Sequence, residues 1–254
     1  LFRSYGGVIA INSEIENLLL DKAFTIFKKT NAEYVEFRAQ KHFNNVKMKR
    51  LTNKANLILN IDLGWEELWK SFKPKVRNQV RKAEKNGLKL VFCDNNMNSA
   101  KQFYNVFCIN MRDLGTPVHS FDIFKWIVDF FREDTEIAHI FFNGKIIASA
   151  IIIKFKNYVE VPFAASIKEY RYYCPNNLLY WGIIKKSCVE GFSKFLFGRS
   201  SWESGTFKFK KQWGALPEEL NYNIYSKSSN PNNIQNNYSS QYGLFRKFWK
   251  KIPV

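Results

Sequence analysis

The segment from Gly198 to Ala215, GRSSWESGTFKFKKQWGA, places basic and aromatic side chains next to one another. Lys208 and Lys210 alternate with Phe207 and Phe209, so on an extended segment both lysines would face one side. Ammonium groups in such a position can neutralise a phosphate, or the oxyanion that develops during acyl transfer. The alternation therefore predicts that both lysines are catalytic cations. An edge strand whose polar side faces water is the alternative.

Other polar side chains have the chemistry of substrate binding or of proton transfer. Arg199 is suited to bidentate binding of a phosphate, with Ser200 beside it, and a structural salt bridge is the alternative. His119, in a loop after Gly-Thr-Pro, and Glu203, the carboxylate of the aromatic and basic segment, are the predicted general bases. Further predicted substrate-binding residues are Trp213, Asn176, Asn177, Tyr170, Tyr180 and Arg112. Core packing, helix capping and a local pair with Asp113 are the structural alternatives for these six.

Several classes of site are not indicated. The chain shows no Ser/His/Asp or Cys/His array, so no covalent intermediate is expected. Its four cysteines have neither the CxxC nor the Cys/His spacing of a metal site, so no metal is expected and free thiols in a reducing cytoplasm are favoured. The most apolar stretch, Ile146 to Ile153, is far too short to span a membrane, and no signal peptide is evident. The chain begins at Leu1 without a methionine, which leaves open that it is a fragment.

The charge balance predicts anionic partners. Lys plus Arg number 39 against 22 acidic residues, giving a formal net charge of +17 and a pI near 9.7. RNA, phosphorylated or nucleotide-linked substrates and the anionic inner face of a membrane are the partners that such an excess favours. A basic surface that is merely soluble is the alternative. Basic residues line one face of a predicted helix after Gly64, and the C-terminal tail FRKFWKK, residues 245 to 251, is basic and aromatic.

Hydrophobic periodicity predicts an α/β (α+β) domain with a mixed, mainly antiparallel sheet flanked by helices. A helix is expected from Ser13, the predicted N-cap, to Lys29, and another after Gly64 that breaks at Pro74. Further expected elements are strands at 33–37, 56–61, 88–92, 136–142, 145–155, 158–165, 194–197 and 220–225, and helices at 99–111, 121–131 and 175–190. The Asn-Gly pair at 143–144 predicts a hairpin turn, and residues 226 to 242 predict a flexible linker.

Several fragments together resemble FemAB-type proteins, the aminoacyl-transferase-like relatives of the acetyltransferase (GNAT) fold. They are the early YGG, NMRDLGTPVHS, VPFAASIKEYRYYCPNNLLYWGIIKKS and FGRSSWESGTFKFKKQWGA. The similarity extends over most of residues 1 to 226 and is strongest to the branch associated with exosortase and exopolysaccharide systems. It implies tandem GNAT-like units, the first truncated: residues 1–63 form a partial unit, 64–226 a complete second domain, and 227–254 a linker and basic-aromatic tail.

The resemblance also implies an activity. Fem proteins join an amino acid from a charged tRNA to an amino group of a peptidoglycan precursor, so we expect a transferase that forms an amide bond on a cell-envelope or exopolysaccharide precursor. GNAT enzymes that use coenzyme A carry a Gly-rich loop, and the corresponding stretch here, KEYRYYCPNN, has no glycine. No tightly bound cofactor is therefore expected, and the donor is aminoacyl-tRNA or an acyl thioester, with acyl-CoA disfavoured. Related proteins often have an acidic residue where this chain has Leu196, so no catalytic acid is assigned there.

A non-enzymatic protein is the alternative. It would bind nucleic acid or a membrane surface through the basic face of residues 70–89 and the FRKFWKK tail. For either class we expect a cytoplasmic protein with weak, peripheral contact at the inner face of the membrane. An enzyme should gather Arg199, Lys208 and Lys210 in one concave pocket, whereas a binding protein should spread its lysines over a convex strip.

Overall fold

The computed structural model describes residues 4–39, 43, 48–227 and 249. Within these residues it divides into two compact units, a smaller one of 4–39, 43, 48–56, 199–207 and 217–227, and a larger one of 57–198, 208–216 and 249. Neither unit is continuous in sequence. The sequence predicts that residue 63 separates two GNAT-like domains. The division into compact units does not test that boundary, which stays a prediction. The predicted linker, and the predicted tail apart from Trp249, lie outside the described residues.

The helices and strands follow one another in short runs along the chain. In order they are α1 Ser13–Lys29, β1 Tyr34–Ala39, β2 Lys49–Leu51, β3 Lys54–Asn60, α2 Gly64–Ser71, α3 Pro74–Lys85, β4 Lys89–Cys93, α4 Met97–Leu114, α5 Phe121–Phe130, β5 Thr135–Phe142, β6 Lys145–Phe155, β7 Tyr158–Ser166, a 3-10 helix Lys168–Tyr173, α6 Pro175–Val189, β8 Lys194–Ser201, α7 Gly205–Lys211, β9 Leu216–Glu219 and β10 Asn221–Ser226. No helix of the described part is both long and apolar enough to cross a membrane.

In the smaller unit, α1 packs on an antiparallel sheet of order β1-β10-β2. Its buried residues Leu20, Phe24 and Phe27 recur at three- and four-residue spacing, which places them on one face of the helix. The Phe24 ring contacts Phe37 of β1 and Tyr225 of β10, with centroids 6.2 and 4.7 Å apart. These ring contacts fix α1 on the sheet, so its opposite face points away from this core.

The N-terminal cap of α1 differs from the predicted one. The backbone N–H of Ile15 donates to the Asn12 side chain at 2.9 Å, and Asn12 has extended backbone angles, as an N-cap should. Ser13 is the first helical residue. The prediction of Ser13 as the cap was wrong by one position, because Asn and Ser have similar capping preference and stand next to each other.

A second sheet has the strand order β4-β5-β6-β7-β8-β3-β9, and its strands β4 to β7 lie in the larger unit. The strands β4 to β7 are antiparallel neighbours, and β7 and β8 are parallel. At the β5–β6 turn, Asn143 and Gly144 both have positive φ (49° and 76°), the pair of angles that a type I′ hairpin needs. The predicted Asn-Gly hairpin is thereby confirmed.

Helices cover both faces of this sheet. Ile137 of β5 belongs to the core cluster that includes Phe103 of α4 and Phe124 of α5. Its neighbour Glu136 points to the other face, because side chains alternate along a strand, and there it pairs with Lys186 of α6. The arrangement confirms the expected mixed, mainly antiparallel sheet between helices.

Candidate functional site

The aromatic and basic segment contains a helix where the sequence predicted an extended strand. The helix α7 begins at Gly205 and includes Lys208 and Lys210. Residues two apart on a helix do not share a face, so the prediction that the two ammonium groups face one side was wrong. Lys208 is exposed, whereas Lys210 is buried, with only 9% of its surface accessible. The alternating pattern suggested a strand because seven residues are too few to distinguish the period of a strand from that of a helix.

Lys210 contacts the sheet next to a place where two strands separate. The parallel register of β7 and β8 pairs Tyr158–Glu160 with Lys194–Leu196, and both strands continue beyond these residues. Two residues past the last pair, the Lys210 ammonium donates to the carbonyl oxygen of Gly198 at 2.9 Å. A buried lysine side chain therefore lies at the opening between β7 and β8 in the larger unit.

Aromatic rings surround the same part of the larger unit. Tyr180 of α6 stacks on Phe197 of β8, with centroids 5.3 Å apart, and meets Phe209 of α7 at 5.4 Å. Trp213 is 1% exposed and packs against Phe72 at 5.2 Å. Burial raises the pKa of the Tyr180 phenol, which keeps the hydroxyl protonated. Tyr180 and Trp213, which the sequence predicted to bind substrate, are therefore largely core side chains.

The smaller unit holds a second group of cations. Arg199 of β8 is half-buried and donates to the Tyr222 hydroxyl at 3.1 Å. Lys54 of β3 donates to the Ser201 hydroxyl. Burial, and then the charge of Arg199, lower the pKa of Lys54. The two cations are therefore close enough to repel, which is the electrostatic setting of an anion site.

Lys54 is a residue that the sequence did not single out. It is one lysine among many, and no local pattern distinguishes it.

Ser200, predicted beside Arg199, is 5% exposed, and its buried hydroxyl oxygen has no hydrogen-bond partner. Glu203 is exposed at a turn in the left-handed region, with φ of 54°. Arg199, Ser200, Glu203 and Lys54 all belong to the smaller unit, and Lys208 and Lys210 to the larger. Convergence of Arg199, Lys208 and Lys210 on one pocket stays a prediction.

His119 and Arg112 lie in the larger unit beside α4. The His119 ring is 6.0 Å from Phe107, its backbone oxygen accepts from the Tyr104 hydroxyl at 2.8 Å, and burial lowers the pKa of the imidazole. A neutral imidazole can accept a proton near pH 7. Arg112 pairs with its neighbour Asp113 at 3.2 Å, which is the local pair foreseen as its structural alternative.

Two backbone N–H groups at the start of α6 are already hydrogen-bonded. The N–H groups of Asn177 and Leu178 both donate to the Cys174 carbonyl oxygen, at 3.1 and 3.4 Å, and Pro175 has no N–H to offer. Coenzyme A would need several backbone donors pointing at its pyrophosphate. These three positions do not supply such donors.

The predicted polar residues near this helix end have protein partners. The Asn177 side chain donates to Gln79 of α3 at 3.2 Å, and no side chain caps α6, whose N-cap is Cys174. The capping alternative for Asn176 and Asn177 is therefore wrong: both lie inside the helix. Tyr170 packs its ring on Phe142, 6.0 Å away.

Two further features concern metal binding and the cavity of the smaller unit. No group of three His, Cys, Asp or Glu side chains within the described ranges could hold a metal ion. A cavity of about 580 Å³ lies in the smaller unit, and Tyr5, Gly6, Gly7, Val8, Glu16 and Arg38 are among its lining residues. The YGG fragment is thus part of a cavity wall.

The fold is similar to that of several solved transferases. FemX superposes with a TM-score of 0.64 at 16% identity, over 95% of this chain and 82% of that chain. L-PGS from Bacillus licheniformis gives 0.62 at 10%, over 91% and 79%. A tandem GNAT protein from the clavulanic acid biosynthesis pathway gives 0.56 at 9%, over 87% and 72%. At these identities the similarity concerns the fold alone. No curated protein matches the chain.

The sequence itself matches a family model. The acetyltransferase (GNAT) domain matches residues 70–211, which include β4 to β8, α6 and α7. This range is more than half of the 254 residues. The chain therefore belongs to the acetyltransferase (GNAT) domain family and is an acyltransferase.

Proposed function

We propose that this acyltransferase moves an aminoacyl or acyl group onto an amino group of a phosphate-bearing cell-envelope or exopolysaccharide precursor. The observation that carries the proposal is the proximity of Lys54 and Arg199: burial, and then the charge of Arg199, lowers the pKa of Lys54. A phosphate bound beside these two cations would offset their mutual repulsion. The net charge of +17 adds long-range attraction for such a substrate.

The chemistry needs a neutral amine, a stabilised oxyanion and a protonated leaving group. The amine nitrogen attacks the carbonyl carbon of the donor, a C–N bond forms and the C–O or C–S bond of the donor breaks; a base takes the amine proton and passes it to the leaving oxygen or sulfur. Lys210 is suited to stabilise the developing negative charge, because its buried ammonium acts in a low-dielectric environment. We assign the base to His119, since burial favours its neutral form, with Glu203 as the second candidate.

An aminoacyl ester of tRNA is the donor that we favour. The N–H groups of Asn177 and Leu178 at the start of α6 donate within the protein, and Pro175 has none, which disfavours a pyrophosphate there. The opening between β7 and β8 has unpaired strand edges that suit an extended amide-containing group. The exposed Lys208 and the basic residues of α3 carry the positive charge that phosphodiester contacts need. Because the chain belongs to the GNAT family, its basic surface does not require a purely non-enzymatic binding function.

Isotope-traced amide formation tests the proposal. Purified protein is incubated with extracted envelope precursors and a labelled donor, either charged tRNA or acyl-CoA. We expect label in an amide product with charged tRNA and much less with acyl-CoA. Efficient transfer from acyl-CoA would contradict the donor assignment, and no transfer from either donor to any amine-bearing precursor would contradict the function.

Variants on one helix test the role of Lys210. Lys210→Met keeps the aliphatic stem, removes the charge and should lower kcat by about 100-fold, the usual cost of losing one oxyanion donor. Lys211→Ala, an exposed neighbour on α7, is the matched control and should stay within about twofold of wild type. Wild-type turnover of Lys210→Met, with the fold intact by circular dichroism, would remove Lys210 from the mechanism.

Arg199→Ala tests the anion site separately. We expect KM for the phosphate-bearing acceptor to rise about tenfold to 100-fold with kcat little changed, because the contact is made in the ground state as well as in the transition state. A neutral acceptor that lacks the phosphate should be used equally by both proteins. Equal KM values for the anionic acceptor would contradict the site.

A further inference from the structure

The outward face of α1 is apolar although it is exposed. Leu18 is 62% exposed and Ile26 54%, while Ile11, in the turn that precedes the helix, is 90% exposed. The opposite face of the same helix already supplies Leu20, Phe24 and Phe27 to the core of the smaller unit. An amphipathic surface helix would carry polar residues on the outward side. The packing of α1 on its sheet therefore does not account for the second, outward apolar face.

The outward residues form one stripe, which we call the α1 stripe. It consists of Ile11, Ile15, Leu18, Leu19, Lys22, Ile26 and Lys29, which recur at three- and four-residue spacing. The only charged residues in the stripe are Lys22 and Lys29, both exposed. The carboxylates Glu14 and Asp21 flank Leu18 at four- and three-residue spacing, at the edge of the stripe, whereas Lys22 and Lys29 flank Ile26 at the same spacings. Exposed aliphatic side chains with lysines within the stripe match a surface that is apolar inside and anionic at its edge.

A second exposed apolar face has a different charge pattern and serves for comparison. On α5, in the larger unit, Trp126 is 57% exposed and Phe130 77%. Asp122 and Asp129 flank Trp126 at the spacing at which Glu14 and Asp21 flank Leu18, but no lysine stands three or four residues from Trp126 or Phe130. An anionic surface would repel this face, whereas Lys22 and Lys29, on either side of Ile26, would attract it to the α1 stripe.

We propose that the α1 stripe is a membrane-contact surface that lies in the interface of a bilayer containing anionic phospholipid. The aliphatic side chains would enter the acyl-chain boundary, and the ammonium groups of Lys22 and Lys29 would extend to the lipid phosphates. The net charge of +17 supplies additional attraction to the same surface. The proposal does not depend on which donor or acceptor the transferase uses.

Vesicle flotation distinguishes apolar insertion from attraction by charge alone. The full chain is mixed with vesicles of phosphatidylcholine containing phosphatidylglycerol, or of phosphatidylcholine only. The double variant Leu18→Gln and Ile26→Gln keeps every charge and changes only exposed positions, so its fold should be retained and can be checked by circular dichroism. We expect its partition coefficient to the anionic vesicles to fall about tenfold or more.

Two further variants complete the design. Trp126→Gln with Phe130→Gln removes a comparable apolar face from α5 and should leave the partition unchanged. Lys22→Glu with Lys29→Glu should weaken binding to the anionic vesicles and leave binding to neutral vesicles nearly unchanged.

Three results would overturn the proposal. The first is equal partition of wild type and the Leu18/Ile26 variant, which would mean that net charge alone binds the vesicles. The second is a loss of binding in the α5 variant and not in the α1 variant. The third is a wild-type dimer in sedimentation velocity that the α1 variant converts to monomer without any vesicle binding, which would assign the stripe to a second copy of the chain.

Discussion

Acidification should destabilise the larger unit through a single buried histidine. His139 in the middle of β5 has no accessible surface, and burial lowers its pKa from the usual 6.5 to about 4. Its Nδ1 lies 2.8 Å from the Ser149 hydroxyl, which itself donates to the Ala138 carbonyl at 3.0 Å. The Ser149 proton is thus already used, so Nδ1 must carry the imidazole hydrogen. Nε2 is buried and has no hydrogen-bond partner, so a proton added there would meet no acceptor.

The sign and size of the effect follow from the two pKa values. The unfolded chain takes up a proton at His139 as the pH falls below 6.5, whereas the folded protein resists until about pH 4. The free energy of unfolding is therefore unaffected by this group above pH 7 and falls between pH 6.5 and 4. Linkage gives a loss of about 2 kcal/mol at pH 5 and about 3 kcal/mol at pH 4.

Urea unfolding at pH 7 and pH 5 measures this loss. His139→Asn keeps a donor toward Ser149 and cannot titrate, so the difference between the two pH values should shrink by about 2 kcal/mol relative to wild type. The packing cost of the smaller side chain cancels, since it is present at both pH values. Equal pH dependence in the two proteins, within about 0.5 kcal/mol, would show that His139 is hydrated or protonated in the folded state.

Three further perturbations have defined outcomes. Lys54→Met should raise KM for an anionic acceptor about tenfold and leave kcat within about twofold, as steady-state kinetics would show; a change in kcat alone would contradict anion binding. Gly182→Ala should lower the free energy of unfolding by about 1–3 kcal/mol in urea, because the added Cβ would lie 1.8 Å from the Leu90 Cδ2 atom; no loss would mean that this leucine moves away freely. Asn12→Ala should cost about 1 kcal/mol and Ser13→Ala less than about 0.5 kcal/mol, and the reverse order would restore Ser13 as the cap.

The transferase assignment and the membrane surface concern different parts of the molecule. Lys210 and the opening between β7 and β8 lie in the larger unit, and the α1 stripe in the smaller one. A variant that loses vesicle binding while it keeps turnover on a soluble acceptor would separate the two properties.

Local sequence signals predicted most of the fold. The core spacing of α1, the break at Pro74 and the Asn-Gly hairpin at 143–144 depend on neighbours a few residues away, so the chain itself contains the information. The extent of β8 was predicted too short, because Gly198 and the polar residues after it end the apolar pattern while the strand continues to Ser201.

The site depended on information that a linear pattern lacks. The sequence identified the segment that contains Lys210 and Arg199, and the motif resemblance pointed to the correct family. It misjudged the geometry of Lys208 and Lys210, since a short alternation of Phe and Lys fits a strand or a helix turn equally well.

The order of residues was enough to predict the helices, the antiparallel strands, the basic charge and the family. The folded coordinates were needed to show that Lys210 is buried against Gly198, that Lys54 stands beside Arg199, and that α1 is apolar on the side away from its core. Lys54 and Arg199 are 145 positions apart in the chain, 199 minus 54, so only the folding of β3 and β8 brings them together. Periodicity is a property of neighbours along the chain, whereas burial and charge proximity arise from contacts between distant segments.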